Sequence, residues 1–163
     1  MKALVICGDS VGDVVFATPV IRALKVQLDD MEVHGLFSTL SAFVMDENPY
    51  IDKTFSIEMS LWKTWHTLKT VKYDMVVNLR PDMRSKILAL LIRTKTYSLK
   101  SIDWHHWLMV RLKINRLLNV HFVDRLMNVL KPLGVKTDEL GLDFFIPEKD
   151  KVTLDCLPVS FQK

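Results

Sequence analysis

The chain has 163 residues, of which 49% are apolar and 25% charged, with two cysteines and a net charge of +3. One domain of that size buries a core without covalent or metal cross-links, which excludes a disulfide-held scaffold and a disordered chain. The opening run Met1–Cys7 is too short for a signal peptide, and no uncharged stretch reaches the ~18 residues of a membrane-spanning helix, so a soluble chain in a reducing cytoplasm is expected.

Lys2–Cys7 reads as a buried first strand ended by Gly8. From Gly12 to Leu28 apolar residues recur at helical spacing, with Pro19 kinking the helix or marking the first turn of its second half. Glu32–Phe37 is a second strand, Ser38–Asp46 a short helix stopped before Asn48-Pro49, and Asp52–Ile57 a third strand. Ser60–Val71 is helical, with Leu61, Trp65 and Leu68 on one side, and Tyr73–Leu79 is the clearest strand. A helix over Asp82–Arg93, a strand over Thr96–Leu99 and helices near Trp104–Leu117 and Phe122–Leu133 follow, the last closed by Pro132 and Gly134. Strands alternating with helices predict a doubly wound, Rossmann-like α/β domain built on a parallel sheet.

In such sheets ligands bind beyond the carboxyl ends of the strands, where strand order reverses. The loop Gly8-Asp9-Ser10-Val11-Gly12-Asp13 lies at such an end, and its backbone N–H groups open the next helix toward an anion. It matches neither a dinucleotide fingerprint nor a P-loop. Asp13 has two readings. With Ser10 it makes a capping box that satisfies free N–H groups, and it also suits a general base that takes a proton from an attacking hydroxyl. The spacing leaves both open.

Residues 61–136 carry 15 Lys and Arg against 4 Asp and Glu, whereas the other 87 carry 7 against 15. A basic middle between acidic ends fits an anionic partner, or else a set of solvated helix faces. Trp104-His105-His106-Trp107 makes a poor metal pair, because adjacent histidines on a helix point apart and no third ligand stands at a fitting spacing. The mixture of Trp104, Trp107, Arg111, Lys113 and Arg116 reads as core packing or as an edge resting on an anionic bilayer. Cys7 reads as a buried strand thiol, with no histidine nearby to activate it.

An ordered set of motifs adds to this. Lys2-Ala3-Leu4-Val5-Ile6, Ser10-Val11-Gly12-Asp13-Val14-Val15, Thr18-Pro19-Val20 and Leu24-Lys25 come first. Asn48-Pro49-Tyr50-Ile51-Asp52-Lys53, Tyr73-Asp74, Asn78-Leu79 with Arg84-Ser85, His121-Phe122-Val123-Asp124-Arg125, Leu133-Gly134-Val135 and Gly141-Leu142 follow. The set resembles the ADP-heptose:lipopolysaccharide heptosyltransferase family (glycosyltransferase family 9) through residues 2–147. The resemblance implies the N-terminal half of a GT-B transferase. Residues 1–147 would be the acceptor-side domain, and 148–163 a linker and the start of a missing C-terminal donor domain. It implies a metal-independent, inverting transfer with no cofactor, with Asp13 as base and Ser10, Val11 and Gly12 binding substrate beside it. Arg80, Arg84 and Lys86 would hold an anionic lipopolysaccharide core, with exposed helix charge as their other reading. The donor would be ADP-heptose, bound by the missing domain, and the chain alone would be inactive. It would work in the cytoplasm, in peripheral contact with the inner membrane. The family's usual basic residue after the first strand is replaced here by Cys7. The rival from another class is a non-catalytic anion- or nucleotide-binding module. A nucleic-acid binder needs only the charge, and no reading motif accompanies it.

Overall fold

Five strands, β1 (Lys2–Ile6), β2 (Glu32–Phe37), β3 (Lys53–Ser56), β4 (Met75–Asn78) and β5 (Lys95–Ser98), form one sheet in the order β3-β2-β1-β4-β5. Every neighbouring pair is parallel. The computed structural model describes residues 1–57, 60–80, 82–99, 121–146, 150 and 151. The expected helix near Trp104–Leu117, with its tryptophan, histidine and basic residues, lies outside them, as does most of the expected 148–163 linker.

β1 is the middle strand and is covered on both sides, which is why it reads as a continuous apolar run rather than an alternating one. Its side chains still alternate in destination. Ala3, Val5 and Cys7, with Val33, Met75 and Val77, pack against helices α1 (Val11–Phe16), α2 (Thr18–Gln27) and α5 (Phe122–Met127). Leu4 and Ile6, with Leu36 and Val76, pack against α3 (Leu61–Leu68) and α4 (Met83–Ile92). The basic middle of the sequence is thereby divided, since α3 and α4 lie on one face of the sheet and α5 on the other.

The expected helix over Gly12–Leu28 is two helices broken at Ala17, with Pro19 in the first turn of α2, where a missing N–H costs nothing. Ser38–Asp46 holds only a 3-10 turn, Ala42–Met45. The helix expected over Phe122–Leu133 turns 3-10 at Asn128. Pro132 explains the change, because in α geometry its ring would collide with the carbonyl of residue 128. Gly134 closes the turn at φ 75°, as the sequence suggests.

Residues 136–146 have no regular structure and are tied to α2, with one buried cation at the centre of the contact. Arg22 on α2, 3% exposed, donates from Nε to Asp138 Oδ2 at 2.6 Å and from Nη2 to Asp138 Oδ1 at 2.8 Å. It also pairs with Asp143 and donates to the Gly141 carbonyl at 3.0 Å. A buried guanidinium needs this set of acceptors to offset its lost hydration.

Removing the cation strands two carboxylates against the core. Arg22→Ala should therefore cost about 2–4 kcal/mol, read as a lower urea midpoint at unchanged slope. The hydrogen bonds from Arg22 hold the Asp138 carboxyl below its usual range. A lowered folded value contributes stability above the unfolded pKa, near ~3.9, that disappears as pH falls through the folded value. The Leu140 amide, which donates to Asp138 Oδ1 at 3.2 Å, should shift in NMR spectra with a midpoint below that of an ordinary aspartate. A midpoint at or above the ordinary value would contradict the clamp.

Candidate active site at the β1–β4 crevice

Strand order reverses between β1 and β4, so the loops leaving these two strands diverge and open a crevice at the carboxyl edge. The β1 loop places the first group. Ser10 is the N-cap of α1, its Oγ accepting the Asp13 N–H at 3.0 Å, while Asp13 Oδ2 accepts the Ser10 N–H at 3.4 Å. The capping-box reading of the sequence is met. The same bonds fold the Asp13 side chain back over the end of β1. A Cβ on Gly8 would lie 2.4 Å from Asp13 Oδ2 and 2.6 Å from Asp13 Cβ, so only glycine fits beneath it. Beside this loop Cys7 is fully buried, and burial, followed by the nearby Asp13 charge, pushes its thiol far up. It stays a protonated strand residue, as the sequence suggests.

The β4 loop supplies the opposite wall. Asn78, buried at the end of β4, donates from Nδ2 to Ser85 Oγ at 3.1 Å and accepts the Arg80 N–H at 3.0 Å. Ser85 Oγ in turn donates to the Arg80 carbonyl at 2.6 Å. Asp82 caps α4, its Oδ1 accepting the Ser85 N–H at 2.7 Å. Burial raises the Asp82 carboxyl, but the hydrogen bonds from Ser85 and Arg80 outweigh it and hold it below the usual range. Arg80 spans the crevice, with Nη1 on Asp9 of the β1 loop and Nε on Asp82. A third link comes from Ser38 Oγ, which donates to the Asp9 carbonyl at 3.2 Å.

The sequence-predicted residues separate into groups. Ser10, Val11, Gly12 and Asp13 share one loop and turn, with Val11 and Gly12 exposed. Arg80 is mostly buried and engaged by two carboxylates, so its first role is a brace between loops. Arg84, with Arg80 and Ser85, lines a mostly apolar pocket walled by Ile6, Leu36, Ile57, Leu61, Thr64 and Leu88. Lys86 does not line it. Two residues on from Arg84, it points about 200° around the helix and is exposed. Asp9 and Asp82 were not singled out from sequence, and Asn78 entered only within a motif, without a site role. Asp82 carried a readable signal, an N-cap type three residues ahead of Ser85 and just before an apolar run. Asp9 carried none, because its partner stands 71 residues away. Among the described residues no group of three or more His, Cys, Asp or Glu could hold a metal ion.

Fold and site together define a Rossmann-like α/β domain with an acidic group and basic side chains at its switch-point crevice. No family model matches the chain. A curated Escherichia coli lipopolysaccharide heptosyltransferase 3 is 29% identical over 139 residues, covering 76% of this chain and 40% of its own length. The crystal structure of a glycosyl transferase family 9 protein from Veillonella parvula superposes with a TM-score of 0.71 at 26% identity, covering 91% of this chain and 46% of that one. The Escherichia coli ADP-heptose heptosyltransferase II structure gives 0.70 at 17% identity, covering 91% and 48%, and shows the shared fold. The resemblance carried by the motifs is thus to the heptosyltransferases of glycosyltransferase family 9, and the chain is a glycosyltransferase-like domain. It spans less than half the length of these relatives.

Gly8→Ala tests the close approach directly. Overpacking at this contact should cost about 1–3 kcal/mol in thermal or urea melts. Adding Asp13→Ala should not restore the loss, because the Asp13 Cβ is itself part of the collision. Full restoration would mean that only the carboxylate was in the way.

Proposed function

We propose that this chain is the acceptor-side half of an inverting, metal-independent glycosyltransferase that moves a heptose from a nucleotide-sugar donor to a lipopolysaccharide core, with Asp13 as general base. The observation that carries the proposal is the Asp13 carboxylate folded over Gly8 at the end of the central strand, at the crevice where this fold binds ligands. The acceptor hydroxyl would give its proton to Asp13 while its oxygen bonds to the anomeric carbon. The bond to the departing diphosphate breaks on the opposite side, inverting the centre. Donor and departing diphosphate would belong to a second domain, like the remaining half of the relatives' length. Exposed Val11, Leu40 and Phe43 at the carboxyl edge support a face that such a domain covers. Arg84 is the favoured contact for an anionic acceptor. Arg80 would hold the loops that shape the cleft, and Lys86 falls outside it. On this reading the chain works at the cytoplasmic face of the inner membrane, where a lipid-linked acceptor is reached.

The capping box supports a rival in which Asp13 only stabilises α1 and the domain binds anions without chemistry. Asp13→Asn separates the two, because an amide oxygen still accepts the Ser10 N–H but cannot take a proton. The protein should be paired with the donor half of a related transferase and supplied with ADP-heptose and deacylated core. The substitution should lower transfer by about 10²–10⁴-fold while leaving the melting temperature nearly unchanged. Equal transfer by both proteins would reduce Asp13 to a helix cap.

A further inference from the structure

The outer surface of α4 is built against the rule for a surface helix. Ser85, Leu88 and Ala89 face the sheet and are buried. The opposite side is apolar too: Met83, Ile87 and Leu90, spaced to share one face, are 69%, 42% and 76% exposed. A helix that is apolar all round is normally covered on both sides. Successive residues turn by about 100°, which sets Arg84 on one shoulder of this stripe and Lys86 and Arg93 on the other. α3 continues the surface. Trp65 Nε1 donates to the Leu91 carbonyl at 3.3 Å, and its ring lies 4.5 Å from that of Trp62, which is 59% exposed. Lys69 Nζ stands 4.8 Å over the Trp65 ring. No Asp or Glu occurs in residues 61–72 or 83–100, whereas eight Lys and Arg do.

We infer that the outer face of α4, with Trp62 beside it, docks on an anionic phospholipid bilayer. Charge complementarity names the occupant: an apolar stripe walled by cations, with an indole at its edge and no carboxylate among these side chains. The acyl–headgroup boundary takes up the aliphatic stripe while headgroup phosphates meet the flanking Arg and Lys. Such binding is peripheral, and among the described residues no helix is long and apolar enough to cross a membrane. The docking face shares Arg84 with the proposed acceptor contact but not Asp13, so loss of lipid binding and loss of the base are read separately.

The test is flotation of the full 163-residue chain with vesicles of phosphatidylglycerol and phosphatidylcholine, against phosphatidylcholine alone. The chain should float with the anionic vesicles and be released by salt. Ile87→Asp with Leu90→Asp should weaken binding by about tenfold or more. Val26→Asp, an equally drastic change at an exposed apolar residue on α2, should leave it unchanged, with circular dichroism checking that each variant is folded. Absence of flotation, equal flotation on neutral vesicles, or unchanged flotation of the folded α4 variant overturns the inference. So does a lipid-free dimer that the α4 substitutions convert to monomer, since the face would then belong to a second copy of the chain.

Discussion

Parallel pairing is the constraint on which the rest of this structure depends. Because all five strands run one way, every strand ends on the same edge, and each return must be a crossover long enough to cover a face of the sheet. β1 sits in the middle, with β2 and β3 added on one side and β4 and β5 on the other. The reversal leaves two diverging loops at the ends of β1 and β4. Arg80 links them through its ion pair to Asp9, while its second ion pair, to Asp82, stays within the β4 loop. The crevice is therefore a product of topology, and the side chains around it stabilise a gap that already exists.

Much of this was legible in the sequence, for local reasons. β2 is found at its expected limits because a stretch of strand length lies between the turn-forming Asp29-Asp30 pair and Ser38. The Ser10–Asp13 box, the αL end at Gly134 and the breakpoint near Pro19 all depend on residues within a few positions of one another. The long-range features were not legible. Nothing near Arg22 distinguishes it from an exposed helical arginine, because the acceptors that make its burial tolerable lie 116 and 121 residues away. Arg80 looked like an anion ligand for the same reason. Of its two carboxylate partners, Asp82 stands two residues away on the same loop, and Asp9 lies on a loop that only the sheet brings near. Lys86 was grouped with Arg84 by proximity in sequence, and the turn of α4 separates them.

Capping and catalysis are not exclusive uses of Asp13. A general base gains from a fixed rotamer, since a carboxylate that must be oriented during reaction adds to the barrier. The hydrogen bond from Ser10 N–H supplies that orientation, and the buried thiol of Cys7 introduces no competing charge beneath it. The helix cap that makes the local sequence look ordinary is also the means by which an acid group would be held at the mouth of the crevice.

The contact between Gly8 and Asp13 has a consequence for how the sequence can drift. A side chain at position 8 is excluded by the Cβ of residue 13 as well as by its carboxylate, so shortening Asp13 to Ala opens no space. Only Gly at position 13 would, and that change discards the acid together with its half of the capping box. The two positions are locked as a pair. Neutral substitutions cannot move this loop stepwise to another arrangement, and a descendant of this chain that no longer used Asp13 would be expected to keep Gly8 for as long as position 13 kept any side chain.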